Sequence, residues 1–514
     1  MSPFYGRSPK KPAKPRYDNG NHALAVTDDM MGRSAGRAGA SPALVSLPQI
    51  AGKLPLPVWL YLLAVVIPIG FQAGPLAMTT LRLLLLVMIV PLMIQLLMGR
   101  YGKILITDIL FVAHIGWAVV ALAVNNPDQV VQQVGSVGME FLGGYVMGRA
   151  YIRTPEAFAA LCRALVLIVL CTVPLALHEA LTGRPLLIEY LRRFGLTATG
   201  IVTIEGRMGL ERVQAVFAHP IHYGLFCSVA FSLAFVALQD MTGGVRRYVS
   251  SALIAGAGFL ALSSGALLAI SAQIALILWA AIFAKVTWRW WLLLGLFAVA
   301  YVIIDIFSNR TPIKVFMSYA TFSAHNAYWR SIIFEWGMKS VWIHPLYGIG
   351  MNDWVRPWYM HSGSMDNFWL VMAVRYGIPG FVPLALGFII AIARIMRRDF
   401  AGDAMLILFR RAWVFTFLGL SFTMSTVHIW TNVYSFVFFM FGAGMWLITA
   451  KSGPASGLAK DAAQTLPARQ IPPASQGMAF SAAPVSKATA AHYTRFPPVP
   501  PNGDGGRGRG GKIR

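Results

Sequence analysis

Charged side chains are scarce in this chain. Only 12% of its 514 residues are Asp, Glu, Lys or Arg, where a water-soluble globular protein carries about a quarter. That shortage excludes an ordinary soluble domain of this length. Acidic residues are scarcer still, 20 against 43 basic ones, for a formal net charge of +23. Cysteine is nearly absent. Cys162, Cys171 and Cys227 all fall in apolar stretches without C-x-x-C spacing, which excludes a disulfide or zinc framework and leaves buried free thiols. No short apolar run follows the basic start, so no cleavable signal peptide is expected. No internal repeat of useful strength is present.

What the chain has in abundance is apolar surface. Hydrophobic residues make up 57% of it and the mean hydropathy is +0.61. The apolar residues come in long blocks separated by short basic ones, the pattern of membrane spans. Inside a bilayer every backbone N–H and C=O must be paired within the protein, so each block reads as a helix. Twelve spans follow: 56–73, 76–98, 104–124, 130–148, 158–179, 217–238, 248–263, 265–284, 290–307, 367–393, 412–430 and 433–449. The basic pairs Arg100/Lys103, Arg149/Arg153, Arg246/Arg247 and Lys285/Arg289, then Arg397, Arg398, Arg410 and Arg411, mark alternate connections. Lys and Arg collect on the cytoplasmic side, which places both termini there. The expected fold is an all-α integral membrane protein of about twelve transmembrane helices with two long periplasmic loops, at about 181–216 and 308–366. Residues 1–54 and 451–514 read as disordered basic cytoplasmic tails, flanking a polytopic domain over 55–450. Between them the tails hold seventeen basic and five acidic residues, so they account for about half of the net charge. Basic tails suit anionic membrane lipids. No aromatic-basic module accompanies the charge, so nucleic acid is not an expected partner.

The two long loops carry charge of the sign that topology disfavours outside. The first holds Arg184, Arg192, Arg193, Arg207 and Arg212 with no Lys; the second holds Arg310, Arg330 and Arg356 beside Lys314 and Lys339. Arg presents a planar fork that binds phosphate oxygens in pairs, whereas Lys is a point charge. An arginine-rich vestibule therefore fits an anionic ligand at the membrane surface, such as a lipid diphosphate. The plainer reading is solvated loop charge, or salt bridges to Glu211 and Glu335. The loop aromatics Tyr328, Trp329, Trp336, Trp342, Trp354, Trp358 and Tyr359 fit either sugar stacking or a membrane-interface belt.

Several short motifs stand in a fixed order. Gly206-Arg207-Met208-Gly209-Leu210-Glu211-Arg212 runs on through Phe217-Ala218-His219-Pro220. Arg330 precedes Trp336 and then His344-Pro345-Leu346-Tyr347-Gly348-Ile349-Gly350. Asp366-Asn367-Phe368-Trp369 comes next, and Gly377-Ile378-Pro379-Gly380 lies one helical stretch later. In order, spacing and topology this set resembles the O-antigen ligase and polymerase-like superfamily, with its Wzy-type and exopolysaccharide polymerases. The resemblance spans about 55 to 450. It implies transfer of a glycan from undecaprenyl diphosphate to an acceptor hydroxyl, without metal or other cofactor, at a bacterial inner membrane. Donor and acceptor would both be lipid-linked oligosaccharides, with chain-length regulators and export proteins as further partners. Carried onto this chain, the family arginines that hold the diphosphate match Arg212 and Arg330; Arg207, Arg356 and Asn367 are the further candidates for substrate binding.

The chain departs from the family twice. Many members carry Ser-Arg-Gly where this chain has Ser263-Ser264-Gly265, so an arginine is missing, and Arg207, Arg356 or Arg375 is a candidate to replace its charge. Ligases show His-Asn where this chain has Asp366-Asn367, which points to the polymerase branch. Asp366 is the first candidate for the base that activates the acceptor, although Asp at a helix start is also a common N-cap. His361 is the alternative base. Glu335 either orients the acceptor or pairs with Lys339 at i+4. His219 and His222 lack Asp, Glu or Cys at ligand spacing, so no metal site is expected. Two rivals remain: a ligase moving finished glycan to an acceptor, and a lipid or solute transporter, for which Asp108 and Glu140 would be the residues to watch.

Overall fold

The structure is a computed structural model. It describes residues 52–451 except 74–75, 208, 310, 313–314, 316–323 and 401. Nearly all of both expected tails, together with Met208, Arg310 and Lys314, lies outside the described residues.

Among the described residues nine helices are long and apolar enough to cross a membrane: Thr80–Leu97, Ile106–Asn125, Pro155–Thr182, Pro220–Ala237, Ser264–Ile282, Arg289–Phe307, Phe368–Met396, Ala404–Met424 and Thr431–Ile448. Three further helical segments fall on the remaining expected spans but are not among these nine. These are Leu56–Val66, Gly244–Leu260, and a composite run of Val130–Gln133, the π-helix Val134–Gly143 and Gly144–Tyr151. The protein is thus an all-α membrane protein; among the described residues the only sheet is a two-stranded hairpin, Gly70–Ala73 against Leu76–Thr79.

Two spans differ from expectation. The first stops at Val66, and its expected second half joins the hairpin. Gly70 lies so close to the opposite strand that a Cβ there would meet Met78 O at 2.9 Å. The eleventh starts at Ala404, not 412, because the Asp403 side chain accepts the Leu406 N–H at 3.1 Å and caps the helix. Arg410 and Arg411 therefore lie within the helix rather than in a connection. Arg410 reaches the Arg398 carbonyl, and Arg398 reaches that of Ala450.

Local chemistry sets other helix starts too. Thr79 and Thr154 cap theirs by accepting from Arg82 N and Ala157 N, each at 3.2 Å. His219 Nδ1 accepts from Ile221 N at 3.1 Å, with Pro220 at the first helical position, where a missing N–H costs nothing. Lipid tails are as apolar as the helices, so close packing holds the bundle rather than expulsion of water. A Cβ on Gly148 would collide with the Phe439 backbone, and one on Gly442 with the Tyr145 carbonyl. Small residues thus bring Gly144–Tyr151 against Thr431–Gly442. An aromatic core of Phe111, Phe141, Phe388, Phe438 and Phe441 fills the centre, with Phe388 stacked on Phe441 at 4.4 Å. Arg289–Phe307 has no buried residue; it is a peripheral helix.

Two intramembrane carboxylates, Glu140 and Asp108, are paired with arginines. Arg82 Nε lies 2.8 Å from Glu140. Asp108 takes the Tyr145 hydroxyl at 2.5 Å, the Leu105 N–H at 2.7 Å and Arg149 at 3.6 Å. Asp108 thus caps its own helix and ties it to Gly144–Tyr151.

The His344–Gly350 and Gly377–Gly380 motifs form one joint. Ile349 N donates to Val374 O at 2.9 Å, Gly350 N to Arg375 O at 3.0 Å and Ile378 N to Pro345 O at 2.8 Å. The helix Phe368–Met396 breaks at Gly377, where φ is +70°, and any side chain there would strike the Leu346 carbonyl. Glycine is needed both for the left-handed backbone and for the close approach. This joint fixes the half-helix that carries Arg375.

Candidate active site

A cavity of about 310 Å³ opens where the two long loops meet the ends of the bundle. Arg207, Arg212, Arg330 and Asp366 all line it, with His219, Ser263, Ser264, Trp329, Ser364, His428 and Trp430. Residues separated by more than two hundred positions are brought together.

The first loop is pinned from inside. Glu179, at the end of Pro155–Thr182 and only 3% exposed, accepts Gln214 N at 2.9 Å and Ala215 N at 2.8 Å. The Gln214 amide then bridges Val202 N, Gly200 O and Phe217 O. This brace holds Arg212 at the cavity. Neither Glu179 nor Gln214 is apparent as a brace from sequence, because their partners are backbone groups thirty-odd residues away or across a loop.

The three guanidinium groups differ in their contacts. Arg207 donates to Leu262 O at 2.8 Å, beside the Ser263-Ser264-Gly265 turn. Arg330 comes within 3.4 Å of the Ser264 hydroxyl. Arg212 and Arg330 form no salt bridge among the described residues, and Arg212 Nε and Arg330 Nη1 are buried without a hydrogen-bond partner. Burial first, then the Arg207 charge, pulls Arg212 down to about 10. Burial also lowers Arg330, against the attraction of Asp366. Arg212 thus stays charged near neutral pH. His219 and His428 are held down to about 4 and about 3, mainly by burial, and so stay neutral. Three arginines and one aspartate give the lining a net charge of +2.

Asp366 accepts the Ser364 hydroxyl at 2.9 Å. It does not cap the helix that follows: Asn367 does, its side chain accepting Leu370 N at 3.1 Å. The capping alternative for Asp366 is thereby corrected, and Asn367, 8% exposed, is engaged in structure. Glu335 pairs with Lys339 at 3.2 Å on the exposed face of the helix Ala324–Ile343. His361 is exposed, and Arg356 pairs with Asp353 at 2.5 Å. None of Glu335, His361 and Arg356 lines the cavity. Among the loop aromatics Trp329 does, while Trp358 is 89% exposed.

Among the described residues three non-glycine residues adopt positive φ: Ala215 (53°), Leu262 (44°) and Thr431 (53°). All three flank this cavity, next to the Arg212 brace, the Arg207 acceptor and Trp430. Such strain costs on the order of 1 kcal/mol per residue and persists where surrounding contacts over-determine it, often at functional sites. His428 and Trp430 were not singled out from the sequence, where an external turn between two apolar helices carries no distinctive signal.

The fold and the cavity together define a multi-pass membrane protein with a cationic, loop-covered site at one face of its bundle. Residues 249–385 match the Wzy_C family, described as O-antigen ligase, a match that supports the resemblance to the O-antigen ligase/polymerase-like superfamily. The matched segment includes Ser264, Arg330 and Asp366; Arg207, Arg212 and His428 lie outside it. A comparison with curated proteins found no match. The family supports a ligase- or polymerase-type role in bacterial glycan assembly.

Proposed function

We propose that this protein polymerises undecaprenyl-diphosphate-linked glycan repeat units at the periplasmic face of the inner membrane. The observation that carries the proposal is the convergence of Arg207, Arg212 and Arg330 around one carboxylate, with Arg212 Nε and Arg330 Nη1 buried and without a hydrogen-bond partner. A lining of net +2 complements a diphosphate diester. The charge that develops on that leaving group would be stabilised by fixed guanidinium groups in a water-poor cavity. Asp366 would take the acceptor hydroxyl proton while its oxygen bonds the anomeric carbon. The bond from that carbon to the diphosphate breaks, and its electron pair leaves with the lipid diphosphate. Arg207 would supply the charge lost at Ser264, since it alone of the three substitutes considered lines this cavity: Arg356 is paired elsewhere, and Arg375 lines a different cavity.

A ligase that moves finished glycan to another acceptor is the second reading, favoured by the description of the matched family and disfavoured by Asp366 in place of the ligase His. The lipid-linked glycan profile of cells carrying Arg212→Ala or Arg330→Ala separates the two. Accumulated single repeats with long chains lost supports a polymerase. Long chains stranded on the carrier means a ligase. A normal profile with normal protein level removes both arginines from the mechanism.

A further inference from the structure

A second cavity, of about 430 Å³, lies directly behind the first. The two share His428 and Trp430 as lining residues, so a partition two side chains thick divides them. That partition is well supported. The His428 and Trp430 rings stack at 5.9 Å, the His222 ring packs 4.0 Å from Trp430, and Asn432 anchors the following turn by donating to Val65 O at 3.1 Å.

The chemistry of the second cavity differs from that of the first. Its polar lining comes from Gln132, Gln133, Ser136, the Arg82–Glu140 pair and Arg375. Amides, hydroxyls and a fixed ion pair beside Trp430 suit a sugar's hydroxyl groups, whereas clustered guanidinium groups suit a diphosphate. The volume lies within the ~300–1,000 Å³ usual for small-ligand sites. An independent observation points to a ligand here. Tyr434 is only 3% exposed, lines the cavity, and its hydroxyl has no partner, although buried hydroxyls are almost always hydrogen-bonded.

We infer that the second cavity binds the sugar residues of the acceptor glycan and presents an acceptor hydroxyl, across the His428–Trp430 partition, to the donor whose diphosphate occupies the first. The inference rests on the glycan-transfer reading above. It assigns the two substrates to two chemically distinct chambers on one face of the bundle, and makes Tyr434, Gln133 and Arg375 acceptor-binding residues.

Site-specific photocrosslinking in native membranes tests this. The full-length chain carries p-benzoyl-phenylalanine at position 136, in the second cavity, or at position 364, in the first. The probe is the radiolabelled single-repeat lipid-linked glycan that accumulates in cells lacking the protein. Both positions should label. Adding Arg212→Ala and Arg330→Ala should cut labelling at 364 by about 10- to 100-fold, as expected for lost charge-assisted contacts, and leave position 136 within about twofold. Tyr434→Phe, which keeps the ring packed against Phe141, should cut labelling at 136 by about fivefold for one lost hydrogen bond and spare 364. Labelling at 364 without labelling at 136 overturns the acceptor assignment, as does a joint loss at both positions in the arginine variant. No labelling at either position overturns the glycan-transfer reading itself, and this inference with it.

Discussion

Replacing Arg330 isolates what a guanidinium contributes to the first cavity. Arg330→Ala removes one of three cations facing one carboxylate, so the lining falls from +2 to +1. Arg330 Nη1 is buried without a partner and its Nη2 makes only a long contact to Ser264, so little structural bonding is lost with it. Any large effect should then come from substrate. A charge-assisted hydrogen bond contributes about 1.5–3 kcal/mol, which corresponds to roughly 10- to 150-fold in binding. If the contact strengthens as charge develops on the leaving diphosphate, the loss in rate approaches about 10²–10³-fold, the range for removal of a donor to a developing oxyanion. Arg330→Lys keeps the net charge but not the planar fork, so it should fall between wild type and alanine. The assay is the initial rate of ladder formation from radiolabelled lipid-linked single repeats, in membranes matched for protein amount and at subsaturating substrate. Rates within about twofold of wild type for both variants would refute the diphosphate role.

If Arg207 stands in for the missing family arginine, Arg207→Ala should lose ladder formation, and adding Ser264→Arg to that chain should restore part of it; no restoration counts against the substitution. Glu140→Ala strands Arg82 within the bundle and should lower stability by about 3–5 kcal/mol, as for one half of a buried pair, whereas the Glu140→Ala/Arg82→Ala double variant should recover much of the loss, read as detergent-solubilised unfolding temperature. Gly148→Leu should prevent Gly144–Tyr151 from seating on Thr431–Gly442, read as a steep drop in folded protein by fluorescence-detected gel filtration. His219 and His428 sit at about 4 and about 3 in the fold, against about 6.5 when exposed, so the unfolded chain takes up protons that the native one does not. Stability should be greatest above about pH 6.5 and fall toward pH 4; a His219→Asn/His428→Asn variant should lose less between pH 7.5 and 5, and an equal loss would assign the pH dependence elsewhere.

The sequence alone determined the solvent of this protein and where its long apolar helices lie. Long apolar blocks leave a backbone no alternative to helices in lipid, and basic pairs between alternate blocks made a twelve-span scheme self-consistent. It also marked Arg207, Arg212, Arg330 and Asp366, because arginines clustered in long loops and a carboxylate at a loop end are local signals. Tertiary structure alone decided which of the marked residues meet. Asp366 and Arg330 share a cavity, whereas Glu335, His361 and Arg356, close to them in sequence, do not line it. Glu335 and Arg356 instead take partners three or four residues away. The start of the helix at Ala404 was hidden for a similar reason: Arg410 looks like loop charge until its side chain reaches back to the Arg398 carbonyl. The brace from Glu179, the strained turns at Ala215, Leu262 and Thr431, and the His428–Trp430 partition left no trace in composition or spacing. Each consists of contacts between segments far apart in the chain, and those contacts exist only once the helices have packed.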